Sequence, residues 1–457
     1  MERLRIGLRA GSRGADAAPM ADLAHRAAPL HPAPLHLPHG LVAWPRDVLA
    51  WIEPWYMAYA LLAVVQGGML PMLLPLAAGG GTGAGVVVGA LSLAGLSAPV
   101  WGHVADSRQV HRAILIAGMA VIAAALAALP FAPDLWTRAA IAAVIGLGYA
   151  GANTVSSMFI VERRPAPEWD SRLGALQACT GAGQVGGLLA AGFFGGATAL
   201  AFTVAAGLVA AALLVAAATV RGGAGVTITP RRAITARAPL GGEGWAGAPQ
   251  RNLHRVTASG LRRLREELGL PYVRLLLVWF PAFIAITAVL SMFPLAMARL
   301  FHMPTRHAAE TYALAAAVSL PLYGPAAAWA RRSGARRVLG AGFAWRAVAL
   351  VGLALACRAA PSGQLLALAC FVALVAAWPL LGVAGTALAA QTAPVEKGEA
   401  LGLFNASSSL AAAIGALLGG WALARFGYGA VAATATLVVA GSALAVRIIA
   451  AVVAHPA

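Results

Sequence analysis

Along the chain, apolar runs of about 20 residues alternate with short polar breaks, the length an α-helix needs to cross the hydrocarbon core of a bilayer. Runs such as Ala113 to Ala132 and Thr198 to Val220 are apolar on every face. Transmembrane β-strands would instead show segments of about 10 residues alternating between apolar and polar. Twelve runs are bounded by glycine, proline or charge: six start near Trp55, Ala84, Ala113, Arg138, Leu173 and Thr198, and six near Tyr272, Ala308, Val338, Gln364, Leu401 and Gly429. The pattern predicts an all-α integral membrane protein, with a tail over residues 1–50, six helices over 51–220, a polar middle loop over 221–270 and six helices over 271–457.

Composition agrees. The 457 residues are 60% hydrophobic and 11% charged, with a mean hydropathy of +0.78, far from the quarter of charged residues in soluble domains. A net charge of +17 would fit nucleic-acid binding only if the basic residues clustered on a folded soluble surface, and they do not. The even-to-odd connections carry 19 arginines and lysines against 5 in the opposite ones. Short loops rich in Arg and Lys stay in the cytoplasm, which predicts cytoplasmic termini and a cytoplasmic middle loop. Lys397 is the only lysine in a chain crowded with Arg, Ala, Gly and Pro; that bias fits a high-GC bacterial genome and hence the inner membrane.

Cys179, Cys357 and Cys370 all lie in apolar runs, without a CxxC pair, so they read as small core residues. His25, His31, His36 and His39 in the tail have no defined ligand spacing, and no metal or cofactor is expected. The tail reads as disordered and cytoplasmic, with Met20 an alternative start. The middle loop ends in "SGLRRLREELGL", an amphipathic pattern suited to lying on membrane lipid.

The halves repeat. Leu173-Gly174, Ala178 and Gly187 recur as Leu401-Gly402, Ala406 and Gly415, each 228 residues later. Parallel halves related by an axis along the membrane normal are a transporter architecture, with the substrate site at their interface near the midplane.

The break "PVWGHVADSRQVHRAIL" after the second run contains Pro99, Gly102, Ala105, Asp106, Arg108 and Arg112. It resembles the signature loop of the major facilitator superfamily, in which a glycine is followed four residues later by an aspartate and then by basic residues. Ser107 and Gln109 depart from that pattern, standing where arginine and glycine are common. Gly102 permits close helix approach, and Asp106 can face a helix N-terminus or pair with an arginine across the halves, so the resemblance implies a gating loop. The corresponding loop "AWARRSGARRVL" has Arg331 in place of the aspartate and keeps Gly334, Arg336 and Arg337. In the fifth helix, Gly183, Gly187 and Gly192 resemble the superfamily's antiporter motif, with Leu188 replacing its proline. The fourth helix lacks the arginine that drug–proton antiporters place there.

The resemblance also implies a cavity lined by helices one, four, seven and ten. Polar candidates are Gln66, Asn153, Ser156, Ser157, Thr287, Ser291 and Trp378, joined by Gln177, Gln184 and Asn405 on helices five and eleven. An amide in hydrocarbon needs a partner, either another helix or a substrate. Glu53 and Glu310 are the carboxylates that could take up a proton, although each lies near a helix end. Arg346, deeper in helix nine, is expected to snorkel toward the cytosol.

The expected function is therefore secondary transport of a small amphipathic or neutral solute by alternating access, as an exporter with protons as a candidate coupling ion. Import or facilitated passage on the same fold is the alternative. A membrane enzyme or sensor fits less well, because no catalytic motif such as HExxH is present. Asp106→Asn should slow transport far more than it lowers expression; flux equal to that of the parent would remove the gate assignment.

Overall fold

The computed structural model describes residues 52–108, 110–156, 159–160, 169–220, 270–392 and 397–454. Every described element is helical. In chain order the helices are α1 Tyr56–Ala77, α2 Gly81–Ala105, α3 His111–Phe131, α4 Leu135–Ser156, α5 Trp169–Phe194, α6 Thr198–Thr219 and α7 Leu270–Leu300. They continue as α8 Thr305–Ser333, α9 Ala335–Arg358, α10 Gln364–Gln391, α11 Lys397–Phe426 and α12 Tyr428–Ala454. Eleven are long and apolar enough to cross a membrane, and α5, at 26 residues, completes the twelve. The expected tail and middle loop, with the four tail histidines and the amphipathic segment, lie outside the described residues.

Phe131, Leu214, Val348, Leu365 and Leu437 stand exposed on the outside of the bundle. Large apolar side chains would be costly there in water, and they are compatible with lipid. Connections are tight. Gly334 is the single residue between α8 and α9, and Gly427 the single residue between α11 and α12. Both have positive φ, 84° and 80°, which glycine adopts without a Cβ clash. At the start of α4, Asp134 accepts hydrogen bonds from the Thr137 backbone N–H at 2.9 Å and the Thr137 hydroxyl at 2.8 Å. These bonds hold its carboxyl below the usual range.

Consecutive helices run antiparallel, so their ends define two faces. The near face is where α1 begins, and the far face is where it ends. Small residues set how closely the helices approach. Within the first half, Gly183 and Gly187 of α5 lie against the backbone of Ala60 and Val64 in α1; within the second, Gly415 and Gly419 of α11 meet Ile284 and Ala288 in α7. The repeated Gly187 and Gly415 thus play one structural role twice.

Different faces of these two helices join the halves. Gly420 and Ala416 of α11 pack against Gly81 and Gly85 of α2, and Gly192 of α5 and Gly195 just beyond it pack against Ala309 and Thr305 of α8. The contact continues to mid-depth, where Gly95 meets Ser409 and Gly181 meets Leu320. At the far face the end of α1 also packs on α7, and Arg299 of α7 donates to the carbonyl of Gly79 at 2.8 Å. Toward the near face the helices pack mainly within their own halves: Ala98–Arg108 on α3 and α4, and Trp378–Gln391 on α7, α8, α9 and α11.

The two kinds of glycine contact should respond differently to a side chain. A Cβ at Gly187 would lie 2.8 Å from Val64 Cα inside one half, so Gly187→Val should cost about 1–3 kcal/mol of overpacking and lower the melting temperature in detergent. A Cβ at Gly420 would lie 2.7 Å from Gly85 Cα across the halves, so Gly420→Val should spread the far ends of α2 and α11. Spin-label distances between those ends check this, and an unchanged distance would contradict it.

Candidate substrate cavity

Among the described residues, four helices are interrupted near mid-depth. Helix α1 widens to a π-helix over Val64–Met69, α2 tightens to a 3-10 turn over Ala94–Ser97, α8 does so over Leu320–Leu322, and α10 breaks at Ala377. Each has proline in or just beyond the interruption: Pro71, Pro99, Pro321 and Pro379. A proline supplies no N–H to the preceding turn and crowds its carbonyl. Such irregular backbone survives in a membrane only where protein or a water-filled cavity covers it.

Gln66 lies in the π segment, where its Oε1 accepts a hydrogen bond from Asn153 Nδ2 of α4 at 3.1 Å. Gly67 beside it abuts the side chain of Gln184 on α5. Gln177, two turns toward the near face on that side of α5, is exposed. The first half therefore collects three of the expected amides, Gln66, Asn153 and Gln184, at one depth. Other candidates serve the scaffold. Ser156 and Ser291 donate to their own helices, at Asn153 O and Thr287 O, while Thr287 faces Gly415 of α11. Asn405 is half-buried on α11. Ser157 and the side chain of Asp106 lie outside the described residues.

The second half presents aromatic rings instead. Trp279 stacks on Phe283 at 5.5 Å and packs on Phe404 at 4.7 Å; Phe283 lies 5.8 Å from Trp378. The Trp279 indole N–H donates to Ser408 Oγ at 2.9 Å, which fixes the wall between α7 and α11. Only Trp378 was expected to take part. Spacing could have exposed the others, since Trp279 and Phe283 are one turn apart on a helix assigned to the cavity.

Arg346 does not snorkel. It is 1% exposed, near the middle of the 24-residue α9, roughly 17 Å from either end at 1.5 Å per residue, which is beyond an arginine's reach. Its guanidinium carbon lies 5.4 Å from the centroid of the Trp378 ring.

The charged groups of the loops lie near the surface. Gly102 is buried in α2 and Arg108 is exposed. Arg112 donates to Ala217 O of α6 at 2.9 Å, a contact inside its own half. Arg331 and Arg337 are exposed and Arg336 is half-exposed at the α8–α9 turn, beside Gly334. Glu53 accepts hydrogen bonds from Arg172 and, at 2.9 Å, from the Trp55 indole, pairing the starts of α1 and α5. Glu310 pairs with Arg306 at 2.7 Å on the exposed far end of α8.

A profile of the Major Facilitator Superfamily matches residues 55–324 and 275–456. The chain belongs to this superfamily. It is a multi-pass membrane transporter of small molecules, with the all-helical twelve-span fold its sequence predicted. Among curated proteins none matches the sequence. Solved structures similar to it include the nucleoside transporter NupG, at 12% identity and a TM-score of 0.63 over 88% of this chain and 99% of that one. A D-xylose-proton symporter follows at 15% and 0.62, over 88% and 96%. An auto-inhibited POT family peptide transporter also gives 15% and 0.62, over 90% and 98%. At these identities the likeness is one of fold.

If the amide cluster meets solute, Gln66→Leu should weaken solute binding about tenfold, the effect of losing one hydrogen bond and stranding Asn153. Melting temperature should fall only modestly, because the π segment is also held by Gly68 against Gly187. An unaltered binding isotherm would assign Gln66 to packing alone.

Proposed function

We propose that this transporter exports a small amphipathic solute across the bacterial inner membrane by alternating access. The observation that carries the reading is that the first half gathers amides on α1, α4 and α5 while the second gathers aromatic rings on α7, α10 and α11. A solute with a polar end and a flat apolar body has a partner for each. The arginine bias of the even-to-odd connections supports a cytoplasmic near face. With that orientation, the far-face packing and the Arg299 to Gly79 bond support an arrangement closed to the outside. Export is favoured by the glycine-rich α5 and by an amide cluster free of carboxylates. Glu53, half-buried against Arg172, is the candidate proton carrier.

Import has its own support, because the similar structures include a D-xylose-proton symporter. Proteoliposomes with an imposed pH gradient separate the two, using uncharged phenylnaphthylamine and anionic anilinonaphthalene sulfonate as fluorescent solutes. Outward movement of either dye in exchange for protons, lost in Glu53→Gln, is expected. Accumulation down the proton gradient would establish import in its place.

A further inference from the structure

Arg346 poses a problem that the amides and the aromatic wall do not resolve. Its Nε and Nη1 are buried and have no hydrogen-bond partner. The groups close enough to act on its charge are the phenols of Tyr312 and Tyr323; among the described residues, no carboxylate pairs with it. A buried cation without a counter-charge is strongly unfavourable, and an apolar residue would be cheaper for packing alone. The Trp378 ring, 5.4 Å away, occupies one face of the guanidinium. That contact leaves the in-plane N–H donors waiting for an acceptor.

Two neighbours of this side chain stand on interrupted helices. Trp378 follows the break of α10 at Ala377, and Tyr323 follows the 3-10 turn of α8. Tyr323 and Trp378 are neighbours, and Trp378 also touches Phe283 of the aromatic wall. A modest change at either break would move a ring from the guanidinium and join Arg346 to the surface that faces the solute.

Resting on the transport reading above, we propose that Arg346 is the anion-recognition centre of the solute site and that the solute is an aromatic carboxylate. The carboxylate accepts from the stranded N–H groups, and the ring lies against Trp378 and Phe283. The negative charge supplies what the buried guanidinium lacks, while the aromatic body explains why the cover is a tryptophan.

The test is binding to the purified full-length protein in detergent, read by tryptophan fluorescence and by thermal shift. The probes are benzoate, its uncharged analogue benzyl alcohol, acetate and chloride. Benzoate should bind saturably, at least tenfold more tightly than acetate and benzyl alcohol, and Arg346→Gln should weaken it at least tenfold. Arg346→Lys should restore part of that loss by returning the charge. Should Arg346→Gln fail to fold, the comparison of benzoate with benzyl alcohol on the parent protein decides. Equal affinity for the two would overturn the proposal, as would chloride binding that benzoate cannot displace, which would make the ligand an inorganic ion. Dye movement in proteoliposomes without benzoate binding would remove the anion site and leave the transport reading intact; benzoate binding without movement of either dye would do the reverse.

Discussion

In hydrocarbon, a backbone N–H or C=O without a partner has no water to turn to. That constraint makes the chain helical throughout its described spans, and it also makes any interruption of a helix informative. The π segment of α1, the 3-10 turns of α2 and α8 and the break in α10 all occur near mid-depth. They persist because neighbouring helices shield them, and glycine brings those neighbours close. Gly187 lies against Val64 at the start of the π segment, and Gly181 lies against Leu320 at the start of the α8 turn. Close packing and irregular backbone are thus two sides of one arrangement.

The same helices are asked to be rigid and mobile at once. Helices α5 and α11 carry small residues on two sides, one set locking each to its own half and the other meeting the opposite half. Contacts inside a half lie backbone to backbone and have little freedom to slide. Contacts between halves fade toward the near face, where α2 and α10 turn back to their own bundles. A rocking motion about the mid-depth contacts can therefore open one end as the other closes, without disturbing the packing that holds each half together.

Most of the fold was legible because its signal is long and redundant: a run of 20 apolar residues cannot be hidden by one substitution. The repeat from Gly187 to Gly415 was legible too, since both glycines answer the same need for close approach. The site was less so. Gln66 and Asn153 stood out as polar groups in apolar runs, but nothing in the sequence said that they would bond to each other. The aromatic wall was harder to see: the one-turn spacing of Trp279 and Phe283 was a signal, but Phe404 looks like an ordinary core residue until its helix is placed. Arg346 was misread by assuming that a long side chain escapes to water, and its central place in α9 leaves no such route.

The asymmetry between the halves carries the chemistry. Their scaffolds repeat closely, down to a glycine against a carbonyl, yet one presents amides and the other aromatic rings beside a buried cation. Had the second half used amides as well, a hydrophilic solute with polar groups on both sides would have been the better match. Amides in one half and rings in the other would favour instead a molecule with two unlike ends, and the desolvated guanidinium beside Trp378 would add a sign to that preference. Since an unpaired charge destabilises its surroundings until it is neutralised, an anion arriving there gains affinity from relieving that penalty as well as from the hydrogen bonds it forms. Because Trp378 and Tyr323 lie near the charge on interrupted helices, that relief would be coupled to the elements best placed to move.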